Sequence, residues 1–477
     1  MDASPLAGLA AAVARDLEFL GLPARPWPVG IAAPDGGPAL DVLVVGAGMC
    51  GIAAAAALTM KGVRNIAVLD AAPPGREGPW TTTARMATLR SPKHLPGVAL
   101  GIPSLTFRAW FTAVRGEAAW QALYKIANAD WQDYLSWLQR ILALPVHHGV
   151  AVRSIHAEGD LFRVEASDGP RHARHVVLAT GRLGSGGTLV PDFIDRALWP
   201  DRAAHAAEPI DFCRLAGRRV AVLGANAAAF DNAAVALESG AAAVDMYCRR
   251  ATLPQVNKSR GATNPGYFEG WSALPPATRW KLLVWLHDER SPPPHESVHR
   301  VLRHPGFRLH FSAAITAARP APQGVALDLS DGTATADFLI VATGFEVNLA
   351  RRPELASLVP HIALWRDAHA APPAFDRPEL GGYPFLGAGF ELTEKVPGTC
   401  PALARLHIFS HAAHASMGPI ASDIPGVSAA AGLLSTAIVR ALFTADHDAL
   451  RVRLAAFAEP ELESTPFFAP GALPKPG

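Results

Sequence analysis

The sequence of 477 residues has few cysteines, almost no net charge and no long uncharged apolar run. The cysteines form no Cys-x-x-Cys pair, which argues against a structural zinc site or a dithiol redox centre and favours a reducing cytoplasm. They are Cys50, Cys213, Cys248 and Cys400. Because 43 basic residues face 42 acidic ones, neither a nucleic acid nor an anionic membrane surface is indicated as a partner.

The scarcity of long apolar runs also indicates where in the cell the protein is expected. The most apolar stretch, 427–443, is interrupted by Arg440, and a membrane span needs about 18 uncharged apolar residues, so no span is expected. The first 22 residues carry charges inside their apolar stretch and predict a short amphipathic helix, not a signal peptide. We therefore expect a cytoplasmic protein. Its length and composition predict a globular chain of two or three domains.

A Gly-rich turn follows the first strongly apolar stretch, Asp41–Val45. In the turn Gly46-Ala47-Gly48-Met49-Cys50-Gly51, the first glycine makes the tight bend and the second lets the backbone approach a pyrophosphate. The third allows close packing of helix and strand, and the amides at the helix start face the phosphates. The next strand ends on Asp70, which can accept hydrogen bonds from ribose hydroxyls and disfavours a 2′-phosphate. This unit predicts a site for FAD or NAD.

A second loop of the same kind begins at Gly224, after the apolar run 220–223. Here Asn226 and Ala229 stand where the second and third glycines are expected, and asparagine tolerates left-handed backbone angles. The interval from Gly224 to Arg249 is one residue longer than that from Gly46 to Asp70. Arg249 and Arg250 suit the 2′-phosphate of NADPH, which guanidinium groups bind in bidentate fashion. A solvated basic turn is the alternative interpretation.

Two further apolar strands each end in Ala-Thr-Gly, at 179–181 and at 342–344. We expect these turns to mark the crossings of the chain between two nucleotide-binding domains.

The order of these motifs resembles that of the class B flavoprotein monooxygenases, which include flavin-containing monooxygenases, Baeyer–Villiger monooxygenases and microbial N-hydroxylases. The motifs are GAGMCG, Ala-Thr-Gly, a GxNxxA loop with trailing arginines, and Ala-Thr-Gly-Phe. The resemblance implies an α/β fold with two Rossmann-like dinucleotide-binding domains, the NADPH domain inserted into a discontinuous FAD domain, and helical cap segments. We expect an N-terminal arm at 1–40, FAD-binding parts at 41–210 and 336–477, and the NADPH-binding domain with a helical insertion at 211–335.

The resemblance also implies a monooxygenase reaction and a set of cofactor contacts. NADPH would reduce FAD, O2 would react at flavin C4a, and the resulting (hydro)peroxide would transfer oxygen to a small-molecule substrate. A late helix, opened by Ser422 or Asp423 with Pro425 in its first turn, would point its N-terminus at the flavin pyrimidine. The residues expected at the cofactors are Gly46, Gly48, Met49, Cys50, Gly51, Asp70, Ala71, Trp80, Arg90, Ala179, Thr180, Gly181, Gly224, Asn226, Ala227, Ala228, Arg249, Arg250, Ala342, Thr343, Gly344, Asp423 and Ile424.

The expected catalytic residues are Arg90, Lys93, His205 and Asn257. Arg90 stands where flavin-containing monooxygenases commonly carry Asn in the segment over the flavin. A fixed cation there would favour an anionic, nucleophilic peroxide, with Lys93 and Arg260 as further candidates or all three as surface charges. His205 is the retained residue of the family's linker fingerprint, with a surface-loop histidine as the alternative. Asn257 lies in a polar loop expected to face the nicotinamide.

These residues favour Baeyer–Villiger oxygenation of a small hydrophobic carbonyl or imine-like substrate, and the apolar loop 383–387 also suggests a hydrophobic substrate. The alternatives are N- or S-oxygenation of an amine, amino acid or sulfide, an NADPH-linked flavin reductase or oxidase, and a non-catalytic flavoprotein. We expect a monomer or homodimer. His407, His411 and His414 suggest a metal site, but no carboxylate completes a ligand set and no metal is expected.

Overall fold

The protein is described by a computed structural model that covers residues 5–420 and 423–472. Its strands are β1 Leu40–Val45, β2 Ile66–Asp70, β3 Val146–His148, β4 Val152–Glu158, β5 Leu161–Ala166, β6 Gly169–Leu178, β7 Gly186–Thr188, β8 Ala203–His205, β9 Arg219–Leu223, β10 Ala243–Tyr247, β11 Phe307–His310, β12 Ile315–Ala321, β13 Gly324–Leu329, β14 Gly332–Ala336, β15 Phe338–Val341, β16 Phe345–Val347 and β17 Leu406–Ile408. Its α-helices are α1 Pro5–Phe19, α2 Met49–Met60, α3 Phe107–Arg115, α4 Glu117–Ala122, α5 Asn128–Ile141, α6 Ala227–Glu238, α7 Pro265–Gly270, α8 Pro276–Glu289, α9 His295–Leu302, α10 Trp365–Ala368, α11 Pro378–Gly381, α12 His414–Met417 and α13 Val427–Ala455.

The first sheet contains the strand that leads into the first Gly-rich turn. Its order is β3-β2-β1-β6-β5-β4, and β17 pairs with β6. β1, β2, β3, β6 and β17 are parallel, whereas β4 and β5 join by antiparallel pairing. Five of the six β1 residues are buried, as expected for a parallel strand covered on both faces. α2 is buried along its whole length because its small side chains let it pack closely.

The second sheet is fully parallel and has the order β11-β10-β9-β15-β8. β9, the second Gly-rich loop, α6 and β10 form its βαβ unit. β8 and β15 both lie in this sheet, outside the range 211–335 that was predicted for the second domain. The predicted limits at 211 and 335 therefore cut off strands at both ends of this unit, because β8 and β15 have partners only across long sequence intervals. The predicted α/β fold with two parallel-sheet units and additional helices is confirmed.

Helical segments fill the connections between these sheets. The aromatic side chains of α3 and α5 are buried and pack together, with the Phe107 and Tyr134 rings edge to face at a centroid distance of 5.4 Å. These aromatics therefore belong to the core of the first unit.

α13 with the turn before it, Ile424–Ala455, is long and apolar enough to span a membrane by length and composition alone. Of its most apolar window, 44% is buried within the protein, and its buried face includes Val427, Leu434 and Leu442. A core helix packed on one face, here against α2, meets the same criterion. The sequence-based expectation that no segment spans a membrane stays a prediction.

Two buried histidines lie where β6 pairs with β17. The Nδ1 atom of His175 is 3.2 Å from the Nε2 atom of His407, whose own Nδ1 atom is 2.9 Å from the carbonyl oxygen of Gly389. Burial lowers the pKa of His407 from 6.5 to about 4. Burial and the neighbouring His407 lower the pKa of His175 as well. His407 is thus a core residue and does not join His411 and His414 in a shared site.

We expect His407 to make the folded state less stable as the pH falls from about 6.5 towards about 4. In that window the unfolded chain protonates this histidine and the folded chain does not, which amounts to about 3 kcal/mol over the whole window. Urea-unfolding midpoints measured across the window test this for the wild type and the H407Q variant. The comparison with H407Q cancels the contribution of Asp41, whose pKa burial raises to about 6 and which titrates in the same range with the opposite effect in both proteins.

The H407Q variant should therefore retain more of its neutral-pH stability on acidification than the wild type does. H447Q, which removes an exposed histidine, serves as the matched control and should keep the wild-type pH dependence. Identical pH dependence in H407Q and the wild type would contradict the prediction.

Candidate functional site

A large cleft is lined by the carboxyl ends of strands from both parallel sheets. Its connected volume is about 3540 Å³, and its walls include both Gly-rich loops and both Ala-Thr-Gly turns. Small-molecule pockets usually measure about 300–1,000 Å³, so this cleft has room for two dinucleotides and a substrate. In open α/β sheets, ligands bind at this end of the strands.

The glycines of the first loop fall into two kinds. Gly46 has a φ of +102°, and a Cβ there would lie 2.5 Å from the carbonyl oxygen of Ala179. A Cβ on Gly51 would lie 1.8 Å from the carbonyl oxygen of Gly46, so the protein itself requires both glycines. Gly48 is different, because its φ is −67° and a Cβ would meet only Gly78, at 3.9 Å. The free space beside Gly48 fits a closely approaching pyrophosphate.

The end of β2 holds an anchored carboxylate. Asp70 accepts hydrogen bonds from the backbone N–H of Ala47 at 2.7 Å and of Ala72 at 2.8 Å. Asp70 and Ala71 line the cleft, and each carboxylate oxygen retains a lone pair that can accept a ribose hydroxyl. The geometry therefore fits the ribose contact predicted for Asp70.

The first turn of α2 lies close to the start of the last long helix. Met49 and Cys50 line the cleft there. Burial, with the nearby charge of Asp423, raises the pKa of the Cys50 thiol to about 12, so the thiol is neutral at pH 7. Asp423 makes no side-chain capping bond, Ile424–Gly426 form a short 3₁₀ helix, and α13 begins only at Val427. Asp423 therefore occupies the N-cap position of this opening turn, with Pro425 inside it as predicted, but it makes no capping hydrogen bond, and the alternative cap, Ser422, lies outside the described residues.

The second loop forms an intact turn despite its two substituted glycines. Gly224 has a φ of +113°, and a Cβ there would lie 2.7 Å from the carbonyl oxygen of Ala342, which matches the situation of Gly46. Asn226 has an extended backbone with a φ of −86°, so the left-handed conformation considered for it is not used. Its Oδ1 accepts from the N–H of Ala229 at 3.0 Å, and its Nδ2 donates to the Ala342 carbonyl at 2.7 Å. Asn226 thus caps α6 and ties it to β15.

The remaining predicted cofactor residues also border the cleft. Gly181 and Gly344 have φ values of +66° and +89°, and a Cβ on either would meet no protein atom. Trp80 packs edge to face against Trp131 at a centroid distance of 6.1 Å. The predicted residues of this group that line the cleft are Trp80, Ala179, Thr180, Gly181, Ala227, Ala228, Ala342, Thr343, Gly344 and Ile424.

Three arginines form a cationic cluster beyond the end of β10. Within residues 5–420 and 423–472, Arg249 and Arg250 make no ion pair or side-chain hydrogen bond, and both line the cleft. Burial and the nearby charges of Arg250 and Arg249 lower the pKa of Arg290, which follows α8. The sequence reasoning missed Arg290 because it lies in the helical insertion, 40 positions after Arg250. The guanidinium groups of Arg249 and Arg250 therefore suit a phosphate, whereas Nη2 of Arg290 lies 2.7 Å from Nε2 of His287.

Arg90 and Lys93 line the cleft but their charges are engaged by the protein. The Nη2 atom of Arg90 lies 3.2 Å from Oδ2 of Asp231, a buried residue of α6 that also accepts a hydrogen bond from Ser297 at 2.6 Å. The Nζ atom of Lys93 donates to the carbonyl of Trp120 at 2.7 Å. An anionic peroxide would need a cation free to face it, so this geometry gives no support to the predicted electrostatic role of Arg90 and Lys93.

His205 lies on β8 and is only 1% exposed, so the alternative of a surface-loop histidine is wrong. Its Nδ1 atom accepts from the N–H of Ala207 at 3.1 Å, and its Nε2 atom has no partner in the described part of the chain. Burial lowers the pKa of His205, which favours the neutral ring. Asn257 borders the cleft and caps the short helix 258–260 by accepting from the N–H of Ser259 at 3.1 Å. The catalytic roles expected for both residues stay predictions.

A polar group that the sequence reasoning did not assign lies near Asp423. It contains Arg182, directly after the first Ala-Thr-Gly turn, with Tyr383, His411 and His414. Within the described ranges, 5–420 and 423–472, no group of three His, Cys, Asp or Glu side chains is arranged to hold a metal. The apolar loop 383–387 turns most of its side chains inward, so only Tyr383 reaches the cleft wall and the loop gives no indication of a hydrophobic substrate.

Comparison with known proteins agrees with this geometry. Residues 43–263 match the family of pyridine nucleotide-disulphide oxidoreductases. The chain is 39% identical over 448 residues to the FAD-dependent urate hydroxylase of Xanthomonas campestris pv. campestris, covering 93% of this chain and 94% of that protein. The ornithine hydroxylase of Pseudomonas aeruginosa superposes with a TM-score of 0.67 and 19% identity over 85% of this chain and 100% of that one. The L-lysine 6-monooxygenase of Pseudomonas syringae superposes with a TM-score of 0.66 and 19% identity, covering 84% of this chain and 99% of that one.

The two solved structures share the fold, and the urate hydroxylase shares close sequence identity along almost the whole chain. Both findings agree with the order of the Gly-rich loops and Ala-Thr-Gly turns around one cleft. The chain therefore belongs to the class B flavoprotein monooxygenases, a family of enzymes that use FAD, NADPH and O2.

Proposed function

We propose that this protein is a urate hydroxylase, which inserts one oxygen atom from O2 into urate or a closely related oxopurine anion. The observation that carries the proposal is the identity to the urate hydroxylase of Xanthomonas campestris, which extends over nearly the full length of both chains.

The atoms of the proposed reaction balance with the family's cofactors. One urate, one O2, one NADPH and one proton give hydroxylated urate, NADP⁺ and one water, so the hydride of NADPH reduces the second oxygen atom. FAD, when bound, supplies the activation of O2 that amino-acid side chains do not provide. The protein positions FAD and NADPH at its two Gly-rich loops and shields the reacting atoms from bulk water.

Urate is also a chemically different substrate from a ketone. It is electron-rich, so it attacks an electrophilic oxygen, whereas the Baeyer–Villiger reaction needs a nucleophilic oxygen stabilised by a free cation. Arg90 is ion-paired with Asp231 and the Lys93 ammonium donates to the Trp120 carbonyl, so neither group is free to face the oxygen. The relatives reported above are a urate hydroxylase, an ornithine hydroxylase and a lysine monooxygenase. The predicted Baeyer–Villiger activity therefore has no support. We propose urate, a heteroatom-rich compound, as the substrate in place of a ketone.

The test is a comparison of substrates with the purified yellow holoprotein, NADPH and O2. With urate we expect one NADPH consumed for each urate lost, and a product heavier by one oxygen atom that comes from heavy-isotope O2. Ornithine, lysine and a cyclic ketone are the competing substrates, which would yield a hydroxylamine or an ester. Coupled oxidation of an amine without urate turnover would favour N-oxygenation and contradict the proposal. Hydrogen peroxide as the sole product in every case would indicate an oxidase.

A further inference from the structure

We propose that Arg182, Tyr383 and His411 form the binding pocket for the anionic planar ring of the substrate. The inference rests on the proposed urate hydroxylation and adds which side chains recognise the oxopurine. None of the three was assigned a role by the sequence motifs, although Arg182 directly follows the first Ala-Thr-Gly turn.

Arg182 is a cation without a counterion among the residues that the structure describes. It follows β6 at the cleft wall, it is exposed, and its guanidinium makes no ion pair or side-chain hydrogen bond with the part of the chain that the structure describes. Its positive charge affects three cleft residues. It partly offsets the rise that burial causes in the pKa of Tyr383, and it adds to the fall that burial causes in the pKa values of His411 and His414. Among the described residues no carboxylate lies within ion-pair distance of this guanidinium, so an anionic ligand would complete its hydrogen bonding.

Tyr383 and His411 supply polar groups beside this cation. The Tyr383 hydroxyl is 3.5 Å from Nε2 of His411, and the His411 and His414 rings stack with centroids 5.8 Å apart. Burial and Arg182 lower the pKa of His411 well below 6.5, so its ring is neutral at pH 7. A neutral imidazole offers one donor and one acceptor. The edges of urate likewise alternate N–H donors with carbonyl acceptors, and its flat ring can stack on an aromatic face.

The pocket residues are different from those expected to bind the phosphates of the two cofactors, although all of them line the same cleft. The FAD pyrophosphate is expected at Gly48 and the start of α2, and the 2′-phosphate of NADPH at Arg249 and Arg250. Asp423 connects the pocket to the flavin side, because its charge acts on both Cys50 and His414. The Asp423 carboxylate disfavours an anion beside it and Arg182 favours one, so we expect the negative ring to bind at Arg182.

The test measures urate binding to the oxidised holoprotein through the change in the flavin spectrum under anaerobic conditions. Replacing Arg182 by glutamine should weaken urate binding about 10- to 100-fold, since a charge-assisted hydrogen bond is lost. Y383F should weaken it by a smaller factor, about 3- to 10-fold, because one neutral hydrogen bond is lost. R214Q is the matched control, as Arg214 is exposed and does not border the cleft, and it should bind urate like the wild type.

Two further readouts distinguish substrate recognition from a cofactor or structural role. R182Q should retain FAD, and NADPH should reduce its flavin in the absence of urate at the wild-type rate. R182Q should also lose the preference of the wild type for the urate anion over neutral hypoxanthine. Wild-type urate affinity in R182Q would overturn the pocket assignment, as would an altered flavin reduction potential with unchanged urate affinity. A wild-type protein that neither binds nor oxidises urate would instead refute the proposed function before any variant is made.

Discussion

Replacing Gly48 by valine is expected to give a folded protein that purifies without FAD. The backbone at Gly48 is in a conformation open to any residue, and its Cβ would meet only Gly78, at 3.9 Å. The protein alone therefore tolerates a side chain there, whereas the pyrophosphate that this loop is expected to bind would be displaced. The ratio of flavin absorbance to protein absorbance measures the loss, and circular dichroism measures the fold.

Two other glycines complete this experiment. Gly30 lies outside the cleft, and a Cβ there would have no neighbouring atom within 4 Å. The G30V variant should therefore keep both its fold and its flavin. G51A should be defective in folding as well as in FAD binding, because its Cβ would lie 1.8 Å from the carbonyl oxygen of Gly46. A yellow, fully loaded G48V protein would show that the pyrophosphate does not approach this loop.

Replacing both Arg249 and Arg250 by glutamine is expected to raise the KM for NADPH by about 100-fold or more, at about 10-fold or more for each charge-assisted bond lost. The KM for NADH should change little, because NADH lacks the 2′-phosphate that the arginines are expected to bind. R290Q should have an effect in the same direction, since Arg290 lies close enough for the two other charges to lower its pKa. Initial rates of NADPH and NADH oxidation at saturating substrate measure the effect.

The exposed Arg214 again provides the control, and R214Q should leave both KM values unchanged. Equal weakening of NADPH and NADH in the double variant would mean that the arginines act through the shape of the loop. Unchanged KM values for both would mean that the second loop binds another part of the dinucleotide or another ligand.

The sequence by itself determined the local backbone of both nucleotide loops. Gly46 and Gly224 stand at sharp turns with φ values of +102° and +113°, a left-handed backbone that glycine adopts without strain. Such turns depend on residues next to one another in the chain, so their spacing alone identifies them. The same holds for the two Ala-Thr-Gly turns, which both lie at the carboxyl ends of parallel strands, in β6 and β15.

Side-chain partners decided what the sequence could not. Arg90 fits the pattern of a flavin-facing cation, but its charge is paired with Asp231, 141 positions later. In the sequence, His411 resembles one of three histidines of a metal site. In the fold it lies beside Tyr383, whereas His407 pairs with His175 in the core. β8 and β15 join a sheet whose other strands lie between them in sequence. Turn geometry is set by neighbouring residues, whereas a charge or a ring acquires its chemistry from groups that only the tertiary structure brings together.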